Sequence, residues 1–191
     1  MYYLIKKVQI IKILNELVKK FEIPSDVKEF ALNIINSINV EEEGKYLTPL
    51  EIVTIILIIS LRALCYGEIL ERKLLQYLKS RKKNINKKKF NEFMINLTKK
   101  YNIRELTIEN CIKKIKNIIG NKCNIDWIEF EKLVRENCSG MSIPVLVVAL
   151  TSKLCSTILI QELLNEFKIS RQSLSSKRVK KILKKVSTPQ K

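Results

Sequence analysis

Close to the C-terminal end the chain reads FKISRQSLSSKRVKKILKKV, residues 167–186. Arg171, Gln172, Ser173, Ser175, Ser176, Lys177, Arg178 and Lys181 bring two kinds of chemistry together there. Amide and hydroxyl groups exchange hydrogen bonds with base edges, while guanidinium and ammonium groups pair with phosphate. The pattern predicts a helix-turn-helix: a supporting helix over 161–167, a turn over 168–170 with Ser170 as N-cap, and a recognition helix over 171–185. Gln172 and Ser173 stand where such a helix reads bases, with Ser175, Ser176 and Arg178 following according to its rotation. Arg171, Lys177, Lys180, Lys181, Lys184 and Lys185 are the phosphate candidates. Leu174, Val179, Ile182, Leu183 and Val186 recur at core spacing. The competing reading is a capped, basic terminal helix lying on its own domain.

A second cationic stretch, LKSRKKNINKKK, spans 78–89 and offers Lys79, Arg81, Lys82, Lys83, Lys87, Lys88 and Lys89. Lysines neutralising phosphates confer a steep salt dependence, about 0.9 log units per contact. No aromatic residue interleaves with them, so a single-strand stacking platform is not indicated. A solvated basic loop is the plain alternative.

Other chemistry is sparse. Glu41, Glu42 and Glu43 are adjacent carboxylates without a nucleophile or metal partner beside them, which predicts a solvated loop. Trp127 lies among Ile125, Ile128 and Phe130 and reads as core. The chain has no histidine, and its five cysteines (Cys65, Cys111, Cys123, Cys138 and Cys155) include no Cys-x-x-Cys pair. A Cys/His zinc site is therefore excluded. The odd count, in a chain without a secretory signal, predicts reduced, buried thiols in the cytoplasm; binding to DNA would make the protein nucleoid-associated. No metal, cofactor or catalytic residue is expected, and no enzyme activity.

Lys and Arg number 36 against 19 acids, a formal charge of +17 over 191 residues. Codon bias toward Lys, Ile and Asn adds lysines but does not explain so few acids. The balance points to an anionic partner. With 46% hydrophobic residues and only four glycines and four prolines, helices with short connections are favoured, giving an all-α class.

The elements that would position these side chains can be read from TPLEIVTIILIISLRALC, residues 48–65. Ile52–Leu61 carries no charge, yet the window is too short to span a membrane, which takes about 20 apolar residues. A helix buried on every face follows, capped by Thr48 with Pro49 in its first turn. SIPVLVVALTSKLC, residues 142–155, repeats the design and also ends on Leu-Cys. About nine residues later, RKLLQYL (72–78) and QELLNEF (161–167) each precede a break and a basic amphipathic helix. Upstream, residues 11–38 and 109–137 each read helix, break, helix. The period, roughly 90 residues, is far beyond that of a solenoid. Two five-helix units are expected, 1–103 and 104–191, each with its apolar third helix at the centre. MYYLIKKVQIIKIL lacks a secretory apolar run and reads as an amphipathic first helix.

Two such units resemble the tandem cyclin-like core of archaeal transcription factor B and its eukaryotic counterpart TFIIB. ILNELVKKFEIPSDVKEFALNII (13–35) is similar to the family's first-repeat opening, with Ile23, Pro24, Val27 and Ala31 at matching places. ISLRALCYGEILERKLLQYL (59–78) matches a first-repeat motif at Arg62 and Gly67. GMSIPVLVVALTSKLC (140–155) and FKISRQSLSSKRVKKILKKV (167–186) resemble second-repeat motifs. The resemblance spans about residues 10–187, and its order and duplication are more specific than any single motif. It implies no enzyme but a transcription-initiation protein on double-stranded promoter DNA, with TATA-binding protein as partner and RNA polymerase engaged through another chain. Arg62 and the 79–89 cations would then contact phosphate or the TATA-binding protein. The family's zinc ribbon has no counterpart here, which implies a regulatory paralogue, and the family suggests an archaeal or viral host. The alternative function is a cyclin-fold adaptor that turns its basic surface to an acidic protein.

Overall fold

The computed structural model describes residues 2–82, 84–120, 122–155 and 158–186, with side chains from Lys6 onward. Their regular secondary structure is entirely helical, with no strand among them. They form α1 (Tyr2–Phe21), α2 (Ser25–Ser37), α3 (Val40–Glu43), α4 (Pro49–Ala63), α5 (Glu68–Arg81), α6 (Lys87–Lys100), α7 (Ile103–Ile119), α8 (Trp127–Asn137), α9 (Ile143–Leu154), α10 (Ile160–Phe167), α11 (Arg171–Leu174) and α12 (Lys177–Lys185). No helix of the described residues is long and apolar enough to cross a membrane. The chain divides into two compact units: Met1–Leu64 with Leu70–Ile103, and Cys65–Ile69 with Arg104–Lys191.

The first unit is organised by α4. Thr48 and Glu51 close a reciprocal capping box, and Pro49 occupies the first turn, where its missing N–H costs nothing. From Glu51 to Leu61 every residue is buried, and α1, α2 and α6 pack on it. The two hydroxyls inside this stretch are satisfied within the helix. Thr54 Oγ1 donates to the Leu50 carbonyl at 2.7 Å and Ser60 Oγ to the Ile56 carbonyl at 2.8 Å. Each large aliphatic side chain so buried contributes about 1.5–3 kcal/mol of transfer free energy. The segment expected to be a loop at Glu41–Glu43 is instead the single turn α3. Asn39 caps it by accepting from the Glu41 N–H at 3.3 Å, and Glu43 pairs with Lys100 at 3.0 Å.

In the second unit α9 is buried from Pro144 to Thr151 and contacted by α8, α10, α11 and α12. The segment 65–69, which runs from the end of α4 into the start of α5, belongs to this unit. Gly67 N–H donates to the Phe167 carbonyl at 2.6 Å and Ile69 N–H to the Lys168 carbonyl at 3.3 Å, so it clasps the turn after α10. Trp127 is half-buried and meets Phe130 edge-on at 5.6 Å.

The cysteine expectation is corrected. Cys65 pairs with Cys111 and Cys123 with Cys155 as disulfides, leaving Cys138 as the buried free thiol. The partners lie 46 and 32 residues apart in sequence. Tertiary packing, not local spacing, brings them together.

Candidate nucleic-acid interface

The C-terminal elements are built in short steps. α10 ends at Phe167, and Lys168 turns the chain in the left-handed region at φ 51°. Ile169 N–H then reaches back to the Leu164 carbonyl at 3.1 Å. Ser170 is the N-cap of α11, but its side chain does not cap. Its hydroxyl and N–H donate instead to Glu68 Oε1 at 3.2 and 3.4 Å. The Ser173 hydroxyl also donates to Glu68 Oε1 and lies 2.8 Å from the Ser170 hydroxyl.

The continuous recognition helix expected over 171–185 is not formed. It breaks at Ser175 into α11 and α12. The cause is local: Ser176 takes an extended conformation and its hydroxyl accepts from the Val179 N–H at 3.3 Å, starting a new helix. The expected core face holds. Val179 and Ile182 are buried, and Leu174, Leu183 and Val186 pack partly buried against the same core.

Of the base-reading candidates, Gln172 and Ser175 are exposed, Ser173 is tied to Glu68, and Ser176 caps α12. Arg178 is also engaged: Nη1 donates to the Gly140 carbonyl at 3.1 Å and Nη2 to the Ser139 carbonyl, closing the α8–α9 connection. The phosphate candidates fare differently. Lys177, Lys180, Lys181, Lys184 and Lys185 are all exposed on α12, opposite Val179 and Ile182. Their spacing of three and four residues puts them on the solvent side of one short helix. Among the described residues none of them pairs with a carboxylate, and α12 contains no acid. Arg171, at the start of α11, is exposed as well.

The cations of the first unit divide in two. Lys82 is consumed by Glu51, with Nζ 2.7 Å from Oε2. Burial by itself would raise the Glu51 carboxyl, but the Lys82 ammonium and the Thr48 donors hold it below the usual carboxylate range. Arg62 grips Glu71 through Nε and Nη2, at 2.8 Å for the latter. Burial would lower its pKa, and the Glu71 carboxylate more than offsets this. Lys89 pairs with Glu92 at 2.9 Å. Lys79, Lys87 and Lys88 are exposed, and Arg81 stands 5.3 Å above the Tyr77 ring. Lys79 and Lys87 flank a shallow apolar groove lined by Leu75, Leu78, Ile85 and Phe90. Lys83 lies outside the described residues.

Gly67 and Glu68 hold the turn ahead of α11, a role invisible in the sequence because their partners are about a hundred residues away. Among the described residues no group of three potential metal ligands occurs. No family model matches the chain, and neither a curated protein nor a solved structure matches it.

Proposed function

We propose that the protein binds double-stranded DNA through the lysine face of α12. The observation that carries this reading is the set of five exposed lysines with no acid on the helix and, among the described residues, no carboxylate partner. Such a surface attracts a polyanion and holds it by displacing condensed counterions. The more specific reading is a transcription factor B-like protein that binds promoter DNA together with TATA-binding protein. It is supported by the resemblance of the two apolar-helix segments and by the position of the basic helix after α10. The test is a mobility-shift titration on a TATA-containing duplex, with and without TATA-binding protein, at two salt concentrations. DNA retention lost in Lys177→Gln/Lys181→Gln/Lys184→Gln supports DNA binding, and a ternary complex supports the specific reading. No retention at low salt, where electrostatics are strongest, refutes both.

A second reading rests on the groove between Lys79 and Lys87. Its apolar floor and cationic rim suit an acidic, amphipathic protein segment. Under that reading Leu75→Asp/Phe90→Ala abolishes partner capture and leaves DNA retention unchanged.

A further inference from the structure

All five cysteines belong to the second unit, and the first has none. The Cα atoms of Cys65 and Cys111 lie 5.1 Å apart and those of Cys123 and Cys155 5.8 Å, both ordinary for disulfides. The two bonds differ in access. Cys65 and Cys111 have no exposed surface at all. Cys155 is buried too, but Cys123 is only partly buried, in the connection between α7 and α8. Thiol–disulfide exchange requires a thiolate to approach one sulfur of the bond. Of the four bonded sulfurs, only that of Cys123 belongs to a residue open to solvent.

We propose that Cys123–Cys155 is an exchange site for a dithiol reductant, while Cys65–Cys111 is a permanent structural cross-link. In the first step a thiolate of the dithiol attacks Cys123 Sγ. The Sγ–Sγ bond breaks, its electron pair leaves on Cys155 Sγ, and that thiolate takes up a proton. The second thiol of the reagent then attacks the mixed disulfide, expelling Cys123 as a thiolate that is protonated in turn. The protein gains two electrons and two protons, and the reagent leaves as its cyclic disulfide.

The position of the bond gives the exchange a structural consequence. Cys155 ends α9, its N–H donating to the Thr151 carbonyl at 2.8 Å. The disulfide ties this end of the unit's central helix to the α7–α8 connection. α10, α11 and α12 all pack on α9. Opening the bond releases one end of the helix on which they rest, while Cys65–Cys111 keeps the 65–69 clasp anchored to α7.

The test uses the oxidised full-length chain, titrated with dithiothreitol under native conditions, quenched with iodoacetamide and mapped by peptide mass. Cys123 and Cys155 should be labelled together at reductant levels that leave Cys65 and Cys111 unlabelled, and all five should label after denaturation and full reduction. Equal labelling of both pairs, earlier labelling of Cys65 and Cys111, or five free thiols in protein purified without reductant would each overturn the proposal. Hydrogen exchange on the selectively reduced protein supplies the second readout. Amides at the end of α9 and in α10 should exchange about tenfold faster, with those around Cys111 unchanged. Unchanged exchange in α9 and α10 overturns the structural consequence. Neither readout requires DNA, so failure here is distinct from failure of the DNA-binding reading.

Discussion

Lys82 Nζ lies 2.7 Å from Glu51 Oε2, and the Glu51 side chain has no solvent exposure. This pair, 31 residues apart in sequence, joins the segment after α5 to the first turn of the central helix. A buried carboxylate stripped of its cation is costly, so Lys82→Met should destabilise the first unit by roughly 3 kcal/mol. The double variant Glu51→Gln/Lys82→Met should recover part of that loss, because no stranded charge remains. Urea unfolding of the four proteins in the cycle checks this. A Lys82→Met protein as stable as the parent would show that Thr48 alone supports the carboxylate.

The same pair sets an acid dependence. The Glu51 carboxyl is lowered in the folded state despite its burial, by Lys82 and by the donors of Thr48. The unfolded chain therefore binds this proton more tightly. Its stabilisation is full above the ordinary carboxylate pKa, about 4.3, and is lost as pH falls through the lower folded value. Thermal unfolding midpoints of parent and Glu51→Gln should accordingly converge as the solution is acidified below that range. A gap that persists or widens there would contradict the assignment.

What could be read from the sequence followed local rules. α4 was legible because a hydroxyl–proline start and an uncharged run leave few alternatives to a buried helix. The lysine and apolar faces of α12 were legible because a 3.6-residue period separates them in any register. The break at Ser175–Ser176 was not, since serine tolerates both helix interior and N-cap, and the choice depends on whether its hydroxyl finds the N–H of Val179. Ser173 and Arg178 looked like ligand-facing residues because their side chains suit that work equally well. Glu68 and the carbonyls of Ser139 and Gly140, which occupy them, are distant in the chain. The cysteine pairs, Gly67 and Lys82 were obscure for the same reason.

Gly67 is a position where backbone proximity dictates residue type. A Cβ there would stand 1.9 Å from Ile169 Cγ2 and 3.0 Å from the carbonyl oxygens of Phe167 and Lys168. Gly67→Ala must therefore push the 65–69 clasp off the turn after α10. We expect a loss of about 1–3 kcal/mol, the usual range for forced overpacking. Hydrogen exchange should show deprotection at the Gly67 and Ile69 amides, whose acceptors are the Phe167 and Lys168 carbonyls. A variant with parental stability and intact protection would mean that the clasp is dispensable.

The division between free and engaged cations on α12 gives the most discriminating prediction. Lys181→Gln or Lys184→Gln removes an exposed ammonium with no carboxylate partner among the described residues. Each should weaken DNA retention and flatten the slope of log affinity against log salt by about 0.9 if that lysine neutralises one phosphate. Arg178→Gln removes a guanidinium already bonded to Ser139 and Gly140. It should lower stability through the freed α8–α9 connection yet leave the salt slope unchanged. Both effects come from one cation on the same nine-residue helix, so differences in overall charge cannot account for the contrast. If Arg178→Gln flattens the slope as much as the lysine variants, its guanidinium must leave those carbonyls on binding, and the division proposed for α12 fails.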